Sequence, residues 1–141
     1  MAPHTLDILD FLLGEIADAR GHKANRGGFY DVADTVTASF RFRSGVLGTG
    51  AWCFVAPPSA AEDTVAITGR KGSVRFSTFA FSPVELVTAQ GVERFEIASP
   101  EHIQGPLIET IVRELRGEGV CPSTGTSAAR TSRVMDEIMK E

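Results

Sequence analysis

Cysteine, tryptophan and tyrosine are scarce in this 141-residue chain, and no long apolar run interrupts it. The two cysteines, Cys53 and Cys121, stand in unrelated contexts with no CxxC pair and no histidine close by in sequence. That speaks against a disulfide scaffold and a metal site, and both cysteines are expected to be buried or half-buried free thiols in a reducing cytoplasm. The apolar runs fall far short of the roughly 20 residues that span a bilayer, so no membrane partner is expected. No basic region ahead of an apolar core, the mark of a secretory signal, is visible in the first residues.

Positive charge is thin as well. Lys and Arg number 14 against 18 Asp and Glu, and the net charge is -4. The basic residues are scattered as Arg41 and Arg43, Arg70 and Lys71, Arg113 and Arg116, which speaks against a nucleic-acid partner. No βαβ repeat and no Gly-x-Gly-x-x-Gly after a strand occurs, so no dinucleotide fold lies within these residues. Gly69-Arg70-Lys71-Gly72 joins two strands and precedes no helix, so it reads as a hairpin turn and not a phosphate loop.

What is present describes an ordinary globular protein, 43% hydrophobic and 23% charged. The length is expected to form a single domain over 1–141 with one core. Helical periodicity runs from His4 to Gly14, and 16–25 reads as a strand. A turn at Arg26-Gly27-Gly28 and a loop at Phe29-Tyr30-Asp31 follow. The clearest strand is 34–43, where Val36, Ala38, Phe40 and Phe42 alternate with Thr35, Thr37, Ser39, Arg41 and Arg43. Ser44-Gly45 turns it into a partner at 46–55. After a loop at 56–61, four shorter strands are expected near 63–68, 73–78, 84–89 and 92–97. The period then becomes helical through Ile103, Leu107, Ile108, Ile111, Val112 and Leu115, and a last helix covers about 127–140. The class is α+β: a mostly antiparallel, open-faced sheet of six or seven strands with helices packed on one face.

His4, with Asp7 three residues on, opens the first helix. At 100° per residue, Thr5, Leu6, Ile8, Leu9, Leu12 and Leu13 share an apolar arc, with His4, Asp7, Asp10 and Phe11 opposite. A histidine on the polar face of a first turn suits proton transfer. A surface or capping role is the common alternative for such a residue. Asp7 either lies beside a substrate or answers the helix dipole. Asp10 is expected to be solvated or paired with a surface base, and Asp34 either starts its strand or caps a turn. Trp52 is assigned to core or interface, His22 to the surface and His102 to the helix entry. Ser123 and Thr124 are assigned to capping.

The run Met1-Ala2-Pro3-His4-Thr5-Leu6-Asp7-Ile8-Leu9-Asp10-Phe11-Leu12-Leu13-Gly14 resembles the start of the C-terminal domain in the Gfo/Idh/MocA (glucose-fructose oxidoreductase / inositol dehydrogenase / rhizopine-catabolism) family. Asp34 to Val46, Ile67 to Val74, Pro122 to Gly125, Ala128 to Thr131 and Val134 to Asp136 are similar to that family in the same order, so the resemblance covers nearly the whole chain. It implies that His4 is catalytic, working with an aspartate four positions earlier and a lysine in a preceding dinucleotide-binding domain. Neither lies within these residues. Met1 matches the apolar position after that aspartate, so the chain is expected to begin part-way through a longer protein.

The resemblance further implies hydride transfer between NAD or NADP and a sugar, polyol or related hydroxyl compound. It places Tyr30 and Asp31 near the substrate mouth, where with Asp7 they become candidate substrate-binding residues. The chain alone is expected to be inactive and to bind no cofactor. It is expected to be cytoplasmic and to form a homo-oligomer through the open sheet face, offering Leu47, Ala51, Cys53 and Val55, or Trp52 and Phe54 in the other register. The competing reading is a non-catalytic oligomerising or sugar-binding module that kept the fold.

Overall fold

The alternation at 34–43 folds as the middle strand of a three-stranded sheet. The computed structural model describes residues 2–140, so Met1 and the family position matched to it lie outside the described residues. In chain order the elements are α1 Ala2–Leu13, β1 Ile16–Ala24, β2 Thr35–Phe42, β3 Leu47–Cys53, a 3-10 turn Pro58–Ala60, β4 Val65–Gly69, β5 Gly72–Phe76, β6 Val84–Thr88, β7 Gly91–Phe95, α2 Gly105–Leu115 and α3 Gly125–Met139. They form two compact units, 2–61 with 124–140, and 62–123.

In the first unit β1, β2 and β3 pair antiparallel in that order. Side chains alternate across a strand, so the register settles which residues share a face. Ile16 pairs with Phe42, Ala19 with Phe40 and Gly21 with Ala38. On the other edge Ala38 meets Gly50, Phe40 meets Gly48 and Val36 meets Trp52. These residues share the face that α3 covers. Buried Ile16, Ala19, Ala38, Phe40 and Phe42 of the sheet, Val134 and Ile138 of α3, which packs on β1, and Leu6 and Leu9 of α1, which packs on α3, make up the unit's core. Phe40 and Phe42 stand edge to face with ring centroids 5.8 Å apart. The opposite face carries Arg20, His22, Thr37, Ser39, Arg41, Leu47, Thr49 and Ala51, together with Cys53, which is exposed on this uncovered face where a buried or half-buried thiol is expected; Cys121 is buried.

Gly21 has a packing role. A Cβ there would lie 2.5 Å from the Ile138 carbonyl oxygen, so α3 approaches β1 only because no side chain intervenes. Gly45, at φ +87°, makes the β2–β3 turn that the sequence marks.

The second unit is an antiparallel meander, β4-β5-β6-β7, followed by α2. Asp63 ties its β5–β6 connection, accepting from the Ser77 hydroxyl and from the Phe79 N–H at 2.8 Å. Burial pushes the Asp63 carboxyl up. The Ser77 hydroxyl and the N–H groups of Phe79, Thr78 and Ala80 outweigh this and hold it below its ordinary value. Among the described residues of this unit only Val65 and Cys121 are buried hydrophobics.

The α+β class, the seven antiparallel strands and all three helices agree with the sequence expectation. The pairing differs in extent, because the strands divide into ladders of three and four. The break falls at 54–64, where Pro57 and Pro58 lead a 3-10 turn and remove N–H donors that a continuous ladder needs. The buried stripe of α1 also differs from the expected arc. Leu6, Leu9 and Asp10 are buried, whereas Leu12 is exposed. Asp10 goes inside because α3 supplies it with a cation.

Candidate functional site

Leu6 and Leu9 seat α1, and the next turn seats it by charge. Asp10 is only 7% exposed, and the Arg130 guanidinium grips both its carboxylate oxygens, from Nε at 3.1 and 3.2 Å and from Nη2 at 2.5 Å. One residue further along α3 the Thr131 hydroxyl donates to Asp7 at 3.1 Å. His4 and Asp7 are both exposed, one turn apart on the same row of the helix.

The helix that holds them is itself anchored to β1. Arg133 donates to the Ile16 carbonyl and to Glu137 at 2.6 Å. Glu137 accepts the Ala19 N–H at 3.1 Å, and Lys23 Nζ donates to the Met139 carbonyl at 2.7 Å. At its start α3 is capped as the sequence implies, with the Ser127 N–H donating to Thr124 Oγ1 at 3.2 Å.

Tyr30 and Asp31 lie on the β1–β2 connection, 25–34, and not on α1. Two side chains shape this loop. Asn25 donates to the Tyr30 carbonyl and accepts the Gly28 N–H at 2.8 Å. Asp34 accepts from Arg26 N–H at 2.9 Å, Gly27 N–H at 2.6 Å and the Thr35 hydroxyl at 3.0 Å. The N–H of Arg26, then that of Gly27, holds the Asp34 carboxyl below its ordinary value against the opposing effect of burial. Both Asp34 oxygens are thereby occupied, and its role is to build the loop.

The loop displays what it builds. Phe29 and Tyr30 are 75% and 74% exposed, and Val32 is exposed beside them. With Asp34, and with Phe54 and Val55 beyond the end of β3, they line an open groove of about 840 Å³. Gly27 permits this closeness, since a Cβ there would stand 2.6 Å from a Val55 methyl and 2.8 Å from the Phe29 ring. The sequence reading missed Phe29, Phe54 and Asn25. Asn25-x-x-Gly28 carries a turn signal for the last of these, whereas Phe54 reaches the groove from a separate loop.

The chemistry available is proton exchange at an exposed imidazole on α1, and hydroxyl, carboxylate and aromatic surfaces on the 25–34 loop. Among the described residues no group of three or more His, Cys, Asp or Glu is placed to hold a metal ion. No helix among them is long and apolar enough to cross a membrane.

Residues 1–75 match the model of the GFO/IDH/MocA C-terminal domain. Oxidoreductase P35 of Formosa agariphila is 30% identical over 138 residues, which are 96% of this chain and 41% of that protein. An oxidoreductase from Agrobacterium radiobacter, solved in complex with NAD+, L-tartaric acid and magnesium, superposes with TM-score 0.80 at 16% identity, over 98% of this chain and 44% of its own. The WlbA dehydrogenase from Bordetella pertussis, in complex with NADH and UDP-GlcNAcA, superposes with TM-score 0.72 at 22% identity, over 97% and 40%. The chain thus spans less than half the length of each of these proteins.

Proposed function

Because the chain belongs to the GFO/IDH/MocA family, matching its C-terminal domain, we propose that it forms the substrate side of an NAD(P)-dependent oxidoreductase acting on a sugar, polyol or related hydroxyl compound. One observation carries this reading: His4 is exposed in the first turn of α1, on a domain whose full-length relatives include NAD(H)-bound enzymes. In oxidation His4 takes the hydroxyl proton at its imidazole as the carbon–oxygen bond becomes a carbonyl, and in reduction it returns that proton. The matching hydride chemistry would be supplied by a nicotinamide cofactor, which a dinucleotide-binding domain outside these residues would hold. Asp7 orients the imidazole or meets a substrate hydroxyl, while Tyr30 and Asp31 bind hydroxyl groups from the 25–34 loop.

Joining the chain to a dinucleotide-binding domain and comparing turnover with His4→Ala tests this reading. An unaltered rate would remove His4 from the chemistry. The groove of Phe29, Tyr30 and Phe54 favours a second reading, a sugar-binding module without redox chemistry, because aromatic faces stack on apolar sugar faces. The mass of the protein in its source cell separates the two. A species about twice the chain's 15.1 kDa or larger in one polypeptide supports the enzyme.

A further inference from the structure

Two leucines hold a 12-residue helix weakly against rotation and sliding, because apolar contact is non-directional. A guanidinium fork on a carboxylate is directional, and it fixes both distance and plane. The Arg130 fork closes on Asp10, and the neighbouring Thr131 hydroxyl closes on Asp7 one turn earlier. Asp7 is in turn the residue one turn from His4. The route therefore runs from β1 through Ile16 and Ala19 to Arg133 and Glu137 of α3, back along α3 to Arg130 and Thr131, and across to α1.

A half-buried ion pair contributes little net stability for its desolvation, but it does specify the angle at which α1 is presented. We propose that Arg130 is a positioning residue for His4: through Asp10 it fixes the rotation and height of α1, and so the place at which the imidazole is held. This rests on the reading of His4 as the proton-transfer group. It adds a residue that touches neither substrate nor cofactor. In catalysis the consequence is large, since a displacement of about 1 Å can cost on the order of 10²-fold in rate.

The three histidines provide the test on the chain as it stands. His4 is on α1, His22 is on β1, and His102 is in the other unit. In Arg130→Met the His4 imidazole resonances in proton–carbon NMR are expected to move while those of His22 and His102 stay in place. Amide exchange in α1 is expected to rise about tenfold, a figure between those for exposed and fully buried pairs. Arg130→Lys keeps the charge without the fork, and His4 is expected part-way between wild type and Arg130→Met. Should Arg130→Met fail to fold, Arg130→Lys and the near-isosteric Thr131→Val decide the matter, each moving His4 alone. Wild-type His4 resonances and α1 exchange in these variants would overturn the proposal. So would an equal disturbance of all three histidines, which marks general loosening. In the enzyme joined to its cofactor domain, Arg130→Lys is expected to lower kcat more than it raises KM. If His4→Ala leaves the rate intact while Arg130→Lys still moves the His4 signal, the proton-transfer reading fails and the positioning stands.

Discussion

Asp34 reaches back seven residues to accept the Gly27 N–H at 2.6 Å. A strand-initial carboxylate thereby holds the loop that displays Phe29 and Tyr30. The Arg26 N–H, then the Gly27 N–H, lowers the pKa of Asp34 in the folded chain. The carboxylate's contribution is then complete above the unfolded-chain value of about 3.9 and is lost as pH falls through the lower folded value. Amide exchange at Arg26 and Gly27, followed from pH 6 to pH 3, is expected to accelerate at the acid end beyond its intrinsic trend. Asp34→Asn should exchange faster throughout and lose that acid step. A variant as protected as wild type at pH 6 would show that the loop stands without the staple.

Gly21 offers a harder constraint, because what a Cβ would strike is backbone. With the Ile138 oxygen 2.5 Å and its Cγ2 2.6 Å from that position, Gly21→Ala forces α3 away from β1. A loss of roughly 1–3 kcal/mol, the range for overpacking, is expected in urea unfolding. Gly50→Ala instead meets a side chain, the far edge of the half-buried Trp52 ring, and not backbone, so it should cost less while changing the indole fluorescence. Equal stability of both variants and wild type would mean that α3 is not seated at Gly21.

Strand β2 is readable from the sequence because burial is one-sided: Ala38, Phe40 and Phe42 go inside and their neighbours stay out. Asp10 is not readable, since its burial depends on Arg130, 120 residues away. On a helical wheel it is simply a carboxylate on the polar side. Asp34 is legible as a strand start or turn cap, but its reach to Arg26 and Gly27 requires the folded loop. Hairpin signals indicate which neighbours pair, and they carry nothing about where one ladder ends, so the division into three and four strands stayed hidden. Within the candidate site, the spacing of His4 and Asp7 is plain. Tyr30 and Asp31 came with the family resemblance, and Phe54 joins the groove only in three dimensions.

The chain by itself is expected to bind NADH too weakly for saturable micromolar heat in calorimetry. It contains no Gly-x-Gly-x-x-Gly following a strand, and a dinucleotide needs that turn for its pyrophosphate. Saturable binding near micromolar Kd would require a nucleotide site on the present elements and would undo the assignment of cofactor binding to another domain.

With the chain joined to a dinucleotide-binding domain, the proposed function predicts that His4→Ala lowers turnover by about 10²- to 10⁴-fold, the usual share of a general acid-base group. Because His4 is exposed, its removal should change stability by less than about 0.5 kcal/mol. Thermal unfolding and steady-state rates measured on the same preparation separate the two effects. A rate loss below about threefold, far under that share, would make His4 structural.

The open face of the three-stranded sheet is expected to carry a contact between two copies of the chain. The register decides what that face offers. Thr35 pairs with Cys53, Thr37 with Ala51, Ser39 with Thr49 and Arg41 with Leu47. Leu47, Ala51 and Cys53 therefore form the apolar edge of the open face, while Trp52 turns to the side that α3 covers. Leu47 is 76% exposed, much of it area that water must cover in a monomer. The middle of the face is small and hydroxylic, which lets a second sheet approach closely. The Asp18–Arg41 pair lies on its surface with both side chains more than half exposed, so its charges are free to meet a partner. A self-complementary patch closed by a two-fold axis is the commonest way to cover such a surface. Val55, which the alternation assigns to this face, lies beyond the end of β3 and lines the groove, so Leu47→Glu is the sharper probe. Light scattering at micromolar concentration is expected to give a multiple of 15.1 kDa for wild type and the single mass for Leu47→Glu. A wild-type mass of one chain would refute the contact, and an oligomer unaffected by Leu47→Glu would place it elsewhere than on this face.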